Sequence, residues 1–358
     1  MPALVDTPRR AVLALGEPRF AKEELEALKQ LVDVETVPAT DHDGTAAAIK
    51  EAVEKRKAAG LPGYEGAVWF FGNGPYAPFD EGLLGSLAAE GARFFSGGGV
   101  GYDDVDTKWM SSVGAYYANT PTAVTASTAT GALMLILSAT RAATWAESNV
   151  RKGWWRGENQ PDEAKYLPLG IDVEGSKLGI IGMGNIGKAL AKRATACGMD
   201  IYYHNRTRVA DEASYNAKYL SFDELISTCD VISINCPLTD STRHLISREA
   251  FAKMKDGVFI VNTGRGPVTD EEALVEALRS GKVSRAGLDV FEREPTVHPG
   301  LLDPAISHRV TLQPHSAART QQTIHKGEQE ILQSLSEFLR GEVPQNAVNK
   351  KEVLPATK

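Results

Sequence analysis

Short runs of apolar residues, many β-branched or aromatic, alternate along the first third of the chain with stretches that keep helical spacing. Residues 11–15, 32–37, 67–71 and 93–95 read as strands, with helices expected over 22–31, 45–59 and 80–90. That alternation predicts a parallel sheet with helices on both faces. A long apolar segment follows from Thr122 to about Val150, headed by Pro121, where proline suits a first helical turn. One continuous helix crossing between two domains is expected there. Residues 151–173 read as a loop whose adjacent Trp154 and Trp155 pack at the domain junction.

The alternation then restarts. Residues 177–182, 200–205, 231–235, 257–262, 285–290 and 309–312 are near-continuous apolar strands of the kind buried on both sheet faces. Six such strands fit a doubly wound dinucleotide fold. The tail, 318–339, is helical and is expected to return to the first domain. The predicted class is therefore α/β, with two doubly wound parallel sheets. A discontinuous flavodoxin-like domain takes 1–121 and 318–358, and a Rossmann domain with the crossing helix takes 122–317.

Length and composition agree with this picture. At 358 residues the chain suits two cores, and 42% hydrophobic with 24% charged residues is ordinary for a globular protein. A net charge of −7 argues against nucleic acid or an anionic membrane as partner. Cys197, Cys229 and Cys236 form neither a disulfide framework nor a metal knuckle, so no metal is expected and a reducing compartment is. Arg9 and Arg10 precede an apolar run that Glu17, Arg19 and Lys22 soon interrupt, unlike a signal peptide. The longest apolar run, 131–137, is too short to span a bilayer, and a cytoplasmic location is expected.

The sharpest motif is Gly182-Met183-Gly184-Asn185-Ile186-Gly187, a GxGxxG directly after a strand and opening a helix. Gly182 permits the tight turn, Gly184 lets the backbone approach a pyrophosphate, and Gly187 lets helix and strand pack closely. The helix N-terminus at Asn185 and Ile186 offers unpaired N–H groups to the anion. An acidic residue at the end of the next strand would read the ribose 2′-hydroxyl of NAD. Here stand Asn205, Arg206, Thr207 and Arg208 instead; Asn205 can bond a hydroxyl, and the arginines can pair a 2′-phosphate. On residues alone the balance tips toward NADP or dual use.

Three polar elements lie at or beyond later strand ends, where open α/β sheets place ligands. They are Thr263-Gly264-Arg265-Gly266, Asp289 with the run to Glu294 and Pro295, and Gln313-Pro314-His315-Ser316. Together they supply what reduction of a 2-keto acid needs. A guanidinium holds a carboxylate in a two-point fork, a histidine moves the proton on the C2 oxygen, and a carboxylate orients the imidazole and favours its charged form.

With these residues the chain resembles the D-2-hydroxyacid dehydrogenase family over nearly its whole length, from Gly99-Val100-Gly101-Tyr102-Asp103 to Gln313-Pro314-His315-Ser316-Ala317. The resemblance implies Arg265, Glu294 and His315 as the catalytic set. It implies Asp289 against the nicotinamide carboxamide, and Val100 and Gly101 N–H groups on the substrate carboxylate. Cys236, Pro237 and Thr263 fall around adenosine and ribose, with Ala317 and His315 also beside the cofactor. Within the family the likeness is greatest to fungal members acting on D-mandelate, which implies NAD, an aryl substrate and a homodimer. Thr130 is a departure: relatives carry Asp or Glu there, in a helix facing the nicotinamide, and a hydroxyl can still donate a hydrogen bond.

After the strand at 67–71 come Gly72, Asn73, Gly74, Pro75 and Tyr76, then Phe79. Glycines let a ligand approach the backbone, and the aromatics are expected to wall an apolar pocket reached by Asn73. One of Phe70 and Phe71 is expected in the core. With no Lys or Arg near this loop before Arg93, a phosphorylated substrate is disfavoured and a phenyl or branched alkyl side chain favoured. A glyoxylate or hydroxypyruvate reductase is the alternative. A dinucleotide-sensing corepressor is the non-enzymatic one, though no Pro/Ser-rich partner-binding tail is seen. A methyltransferase using the glycine turn leaves the later Arg, Glu and His unexplained.

Overall fold

The computed structural model describes residues 9–71, 77–155 and 169–353, in two compact units, Met1–Val124 with Thr320–Lys358, and Thr125–Arg319.

The first unit is built from β1 (Ala11–Leu15), α1 (Lys22–Lys29), β2 (Asp33–Val37), α2 (His42–Ala58), β3 (Tyr64–Trp69), α3 (Glu81–Ala89), β4 (Phe94–Gly97), α4 (Thr107–Ser112) and β5 (Tyr116–Ala118). Its strands are parallel in the order β2-β1-β3-β4-β5, the flavodoxin-type winding. Alternate residues explain the continuous apolar runs. Leu13, Leu15, Trp69 and Phe95 enter one core, while Val12, Ala14, Val68 and Phe94 enter the other. β5 and α4 had no counterpart in the sequence pattern.

The second unit carries α5 (Thr125–Arg141), α6 (Ala143–Arg151), β6 (Lys177–Ile181), α7 (Asn185–Ala196), β7 (Asp200–His204), β8 (Ala217–Tyr219), α8 (Phe222–Thr228), β9 (Val231–Ile234), α9 (Arg248–Lys253), β10 (Val258–Asn262), α10 (Glu271–Ser280), β11 (Val283–Leu288) and β12 (Val310–Leu312). These form a parallel sheet in the order β12-β11-β10-β9-β6-β7-β8. The winding reverses at β6, between β7 and β9, so the crevice for a ligand opens at the end of β6 where the glycine motif begins. The sheet has seven strands rather than the six expected. The extra one, β8, is a three-residue edge of which only Ala217 is buried, too short to leave a period-2 signature.

The expected single helix over 122–150 is two. Ala142 adopts a left-handed conformation, φ 50° and ψ 39°, between α5 and α6. Bonds from elsewhere end α5: Ile171 N–H and the buried Arg285 guanidinium both donate to the Thr140 carbonyl. Helical apolar spacing continues across the break, so the sequence pattern cannot show it.

The chain returns to the first unit as α11 (Gln321–Leu339), whose Ile331, Leu332 and Leu335 join the core of Val12 and Phe94. Fully buried Glu328 fastens it there, accepting the N–H groups of Arg19, Phe20 and Ala21 at 2.8, 2.8 and 2.9 Å. Three donors satisfy a charge that burial would otherwise penalise heavily. No helix among the described residues is long and apolar enough to cross a membrane.

Candidate active site

The glycine motif is shaped by contacts that forbid a side chain. Gly182 sits at φ +102°, and a Cβ there would lie 2.6 Å from the Cys236 nitrogen. A Cβ on Gly187 would lie 2.3 Å from the Gly182 carbonyl oxygen. Gly184 differs: nothing lies within 4 Å of its would-be Cβ, and as the N-cap of α7 it supplies no side-chain cap. An open space over uncapped N–H groups fits a pyrophosphate. Cys236, buried so that its thiol is pushed up to about 11, is packing and not a nucleophile. A Cβ on Gly264 would lie 2.9 Å from its carbonyl oxygen, and the Thr263 hydroxyl donates to Asn235 at 3.2 Å. The ends of β6, β9 and β10 thus converge on the glycine turn.

Past β7, Asn205 Oδ1 accepts the Met183 N–H at 2.7 Å. Its oxygen therefore braces the glycine loop, leaving the amide nitrogen as the donor for a ribose hydroxyl. Arg208, which the sequence offers to a 2′-phosphate, is paired with Glu212 in this structure. Its Nε lies 2.9 and 3.0 Å from the two carboxylate oxygens of Glu212, which also takes the Tyr203 hydroxyl at 2.6 Å. Arg208 first and Tyr203 second hold the Glu212 carboxyl down at about 2. Arg206 stands exposed.

The three strand-end elements meet through named bonds. Glu294 Oε2 lies 2.8 Å from His315 Nδ1, and Glu294 Oε1 accepts the Phe291 N–H at 2.9 Å. Burial alone would raise the Glu294 carboxyl; the His315 hydrogen bond and charge, the Phe291 N–H and the Arg265 charge outweigh it and hold it below the ordinary range. With Nδ1 turned to Glu294, Nε2 is left for a substrate oxygen. His315 itself is left-handed, φ 51°, with its N–H on the Asp289 carbonyl at 2.8 Å. Buried Asp289 also accepts Ser316 and Ala317 N–H groups, at 2.7 and 3.0 Å, and burial pushes its carboxyl up despite them. Asp289 thus grips the turn that presents His315. One lone pair on each oxygen remains for a cofactor amide.

Arg265 follows β10 on a turn built by Asn262, which the apolar pattern marks only as the last residue of a strand. Buried Asn262 accepts the Gly264 N–H at 3.0 Å and donates to the Arg265 carbonyl at 3.0 Å. The signal was there, as Asn two residues before Gly at a strand end favours such a turn. Thr130 differs from expectation: its hydroxyl donates back to the Ala126 carbonyl at 2.9 Å and accepts from Arg193 Nε at 3.1 Å. Its proton is spent inside α5.

In the first unit the Gly99–Gly101 loop is pinned from behind. Thr120 exchanges bonds with Gly99, which has φ +117°, and Asn119 donates to the Val100 carbonyl at 2.8 Å. The Phe71 ring lies against Gly98 and Gly327, where Cβ atoms would come within 2.7 and 2.0 Å of it. Phe70 is core. Phe79 does not wall a pocket; it is buried and stacked on Trp69 with ring centroids 4.0 Å apart. Asn73 and the rest of the 72–76 loop lie outside the described residues. Trp155 is 57% exposed.

Residues 133–317 match the family described as D-isomer specific 2-hydroxyacid dehydrogenase, NAD binding domain. The chain is 41% identical over 343 residues to a putative 2-hydroxyacid dehydrogenase of Schizosaccharomyces pombe, covering 95% of this chain and 96% of that one. It is 44% identical over 258 residues to 4-methyl-2-oxopentanoate reductase A of Aspergillus oryzae, 72% of this chain and 75% of the relative. Among solved structures it resembles a glyoxylate reductase from Paecilomyes thermophila (TM-score 0.83, 37% identity, 96% and 99% of the two chains). It also resembles the apo D-mandelate dehydrogenase of Rhodotorula graminis (TM-score 0.83, 30% identity, 95% and 98%). This chain belongs to the D-isomer specific 2-hydroxyacid dehydrogenase family and carries its NAD-binding domain.

Proposed function

We propose that this protein interconverts a 2-keto acid and the matching D-2-hydroxy acid, with His315 as acid and base, Glu294 as its orienting partner and Arg265 as the carboxylate and carbonyl anchor. The observation that carries this reading is the 2.8 Å bond between Glu294 and His315 Nδ1, on a turn held by Asp289. Bound NADH supplies the hydride that goes to carbon 2. In reduction His315 gives its Nε2 proton to the C2 oxygen and becomes neutral; in oxidation it takes that proton back. Arg265 forks the substrate, and the Val100 and Gly101 N–H groups serve its carboxylate. The Gly182–Gly187 turn and the first residues of α7 hold the pyrophosphate, with Cys236, Pro237, Thr263 and Asn205–Thr207 around adenosine and ribose. Locking of Arg208 by Glu212 supports NAD over NADP.

For the acid we favour a branched or aryl side chain. Support comes from the activities for which the Aspergillus and Rhodotorula relatives are named, and from the Phe71 ring seated against Gly98, the residue before the Gly99–Gly101 loop. The Paecilomyes structure favours glyoxylate as the second reading. The test is turnover of phenylglyoxylate, 4-methyl-2-oxopentanoate, pyruvate, glyoxylate and hydroxypyruvate at fixed NADH. Filling an apolar pocket at about 25 cal/mol per Å² predicts that the two bulky acids exceed pyruvate at least about tenfold in kcat/KM. Glyoxylate or hydroxypyruvate on top makes the second reading the right one.

We also infer a homodimer formed by the second unit, whose Met134, Leu137, Val150, Trp155 and Leu169 are large apolar side chains left exposed. Three unpaired cysteines suit a reducing cytoplasm.

A further inference from the structure

Two loops carry the proposed chemistry, Thr263–Asp270 with Arg265 and Asp289–Thr296 with Glu294. One residue outside both is bonded to each. His244 lies between β9 and α9. Its main-chain N–H donates to the Pro267 carbonyl at 2.8 Å, two residues past Arg265. Its Nε2 lies 2.9 Å from Glu292 Oε1, two residues before Glu294. His244 is held left-handed, φ 50°, a conformation that disfavours non-glycine residues unless the surroundings fix them. Ile246 N–H donates to Val268 and Asp270 N–H to Ile246, so residues 244–246 run alongside the Arg265 loop as a bridge.

Glu292 is fixed on its other side. Its N–H donates to Glu271 Oε1 at 2.8 Å, and Glu271 N–H points back to Glu292 Oε2 at 3.4 Å. Glu271 is buried and opens α10, the helix that follows the Arg265 loop. The two loops also touch directly at Gly266, with no side chain between them. A shift of one loop therefore moves the other, and His244 ties their outer edge, its main chain on the Arg265 loop and its imidazole on Glu292.

We propose that His244 is a positioning residue: through the Glu292 carboxylate and the Pro267 carbonyl it sets the register between the Arg265 loop and the Glu294–His315 pair. This rests on the reading of Arg265, Glu294 and His315 given above. Its effect belongs on the chemical step, because orientation of the acid and the anchor matters most there.

The test uses two variants of the full chain. His244→Asn keeps a residue that tolerates the left-handed conformation but is too short to reach Glu292. His244→Gln places an amide N–H donor near the position of Nε2. Kinetics are measured with NADH and the best 2-keto acid of the panel, NADH affinity by fluorescence, and the His315 ring-proton shifts by NMR on the chain without added ligand. We expect His244→Asn to lose about tenfold or more in kcat, with KM changing less, since small misplacement of catalytic groups is costly. NADH affinity stays within about twofold, the His315 ring signals move, and His244→Gln restores both rate and shifts. Wild-type kcat and unmoved His315 signals in His244→Asn overturn the proposal. So does equal impairment of both variants. If the wild type turns over no 2-keto acid yet the His315 signals follow the expected pattern, the functional reading falls and the positioning role stands.

Discussion

Gly266 and Phe291 meet backbone to backbone: a Cβ on Gly266 would lie 1.9 Å from both the carbonyl carbon and oxygen of Phe291, and 2.4 Å from the Glu292 nitrogen. No rotamer relieves a clash with main chain, so one loop must withdraw from the other. Gly266→Ala should destabilise the fold by about 1–3 kcal/mol or more, in the manner of overpacking. Turnover should fall further than stability alone explains, because Arg265 and Glu294 part company. Thermal unfolding and kcat/KM of the same preparation check this; an unchanged Tm would show that the loops have room to spare.

His315→Asn removes the proton carrier and should lower turnover on the order of 10²-fold or more, with NADH affinity nearly unchanged. Arg265→Lys keeps the charge but loses the fork, so KM should rise and kcat fall together. A change confined to cofactor affinity would make Arg265 a phosphate ligand instead.

The pH dependence of stability follows from Glu294, whose carboxyl the fold holds below its ordinary value. A carboxyl lowered on folding stabilises the native state when ionised. That contribution is complete above the unfolded value of about 4.3 and is lost as the pH falls below it, through the lowered folded value. Glu294→Gln cannot ionise, so the wild type should lead it in Tm near neutrality and the gap should close as the pH falls below the ordinary carboxylate range. A gap that stays constant over that range would show that the Glu294–His315 bond contributes nothing through its charge.

How much of this was legible in the sequence depended on range. Gly182, Gly184 and Gly187 act within six residues, and strand ends announced Arg265, Asp289, Glu294 and His315 because buried strands are unmistakable runs. What escaped notice is set by distant partners. Ala142 is a good helix former whose left-handed turn is imposed by Ile171 and Arg285 on the Thr140 carbonyl. Glu328 acts on Arg19, 309 positions away. Phe79 reads as a pocket wall until Trp69 is seen stacked on it. His244 and Glu292 are ordinary polar residues 48 positions apart, and only the fold brings them to 2.9 Å.

The cofactor preference turns on Glu212. Asn205 braces the glycine turn through its oxygen, so the end of β7 presents an amide and the exposed Arg206 rather than a carboxylate. Arg208 would add a second cation, but Glu212 takes its guanidinium in a fork and is itself fixed by Tyr203. Glu212→Gln should release Arg208 toward a 2′-phosphate, since a neutral amide holds a guanidinium far less strongly than a carboxylate. The ratio of kcat/KM for NADPH over NADH should then rise by about tenfold, one strong charge-assisted contact. Asn205→Asp should move the ratio the other way: Asp still accepts the Met183 N–H, and its second oxygen accepts from the ribose 2′-hydroxyl while repelling a phosphate. Both variants are read from initial rates with the two cofactors side by side. A ratio that moves with Asn205→Asp but not with Glu212→Gln would leave Arg206 as the residue that meets the phosphate, and Arg208 as a purely structural partner of Glu212.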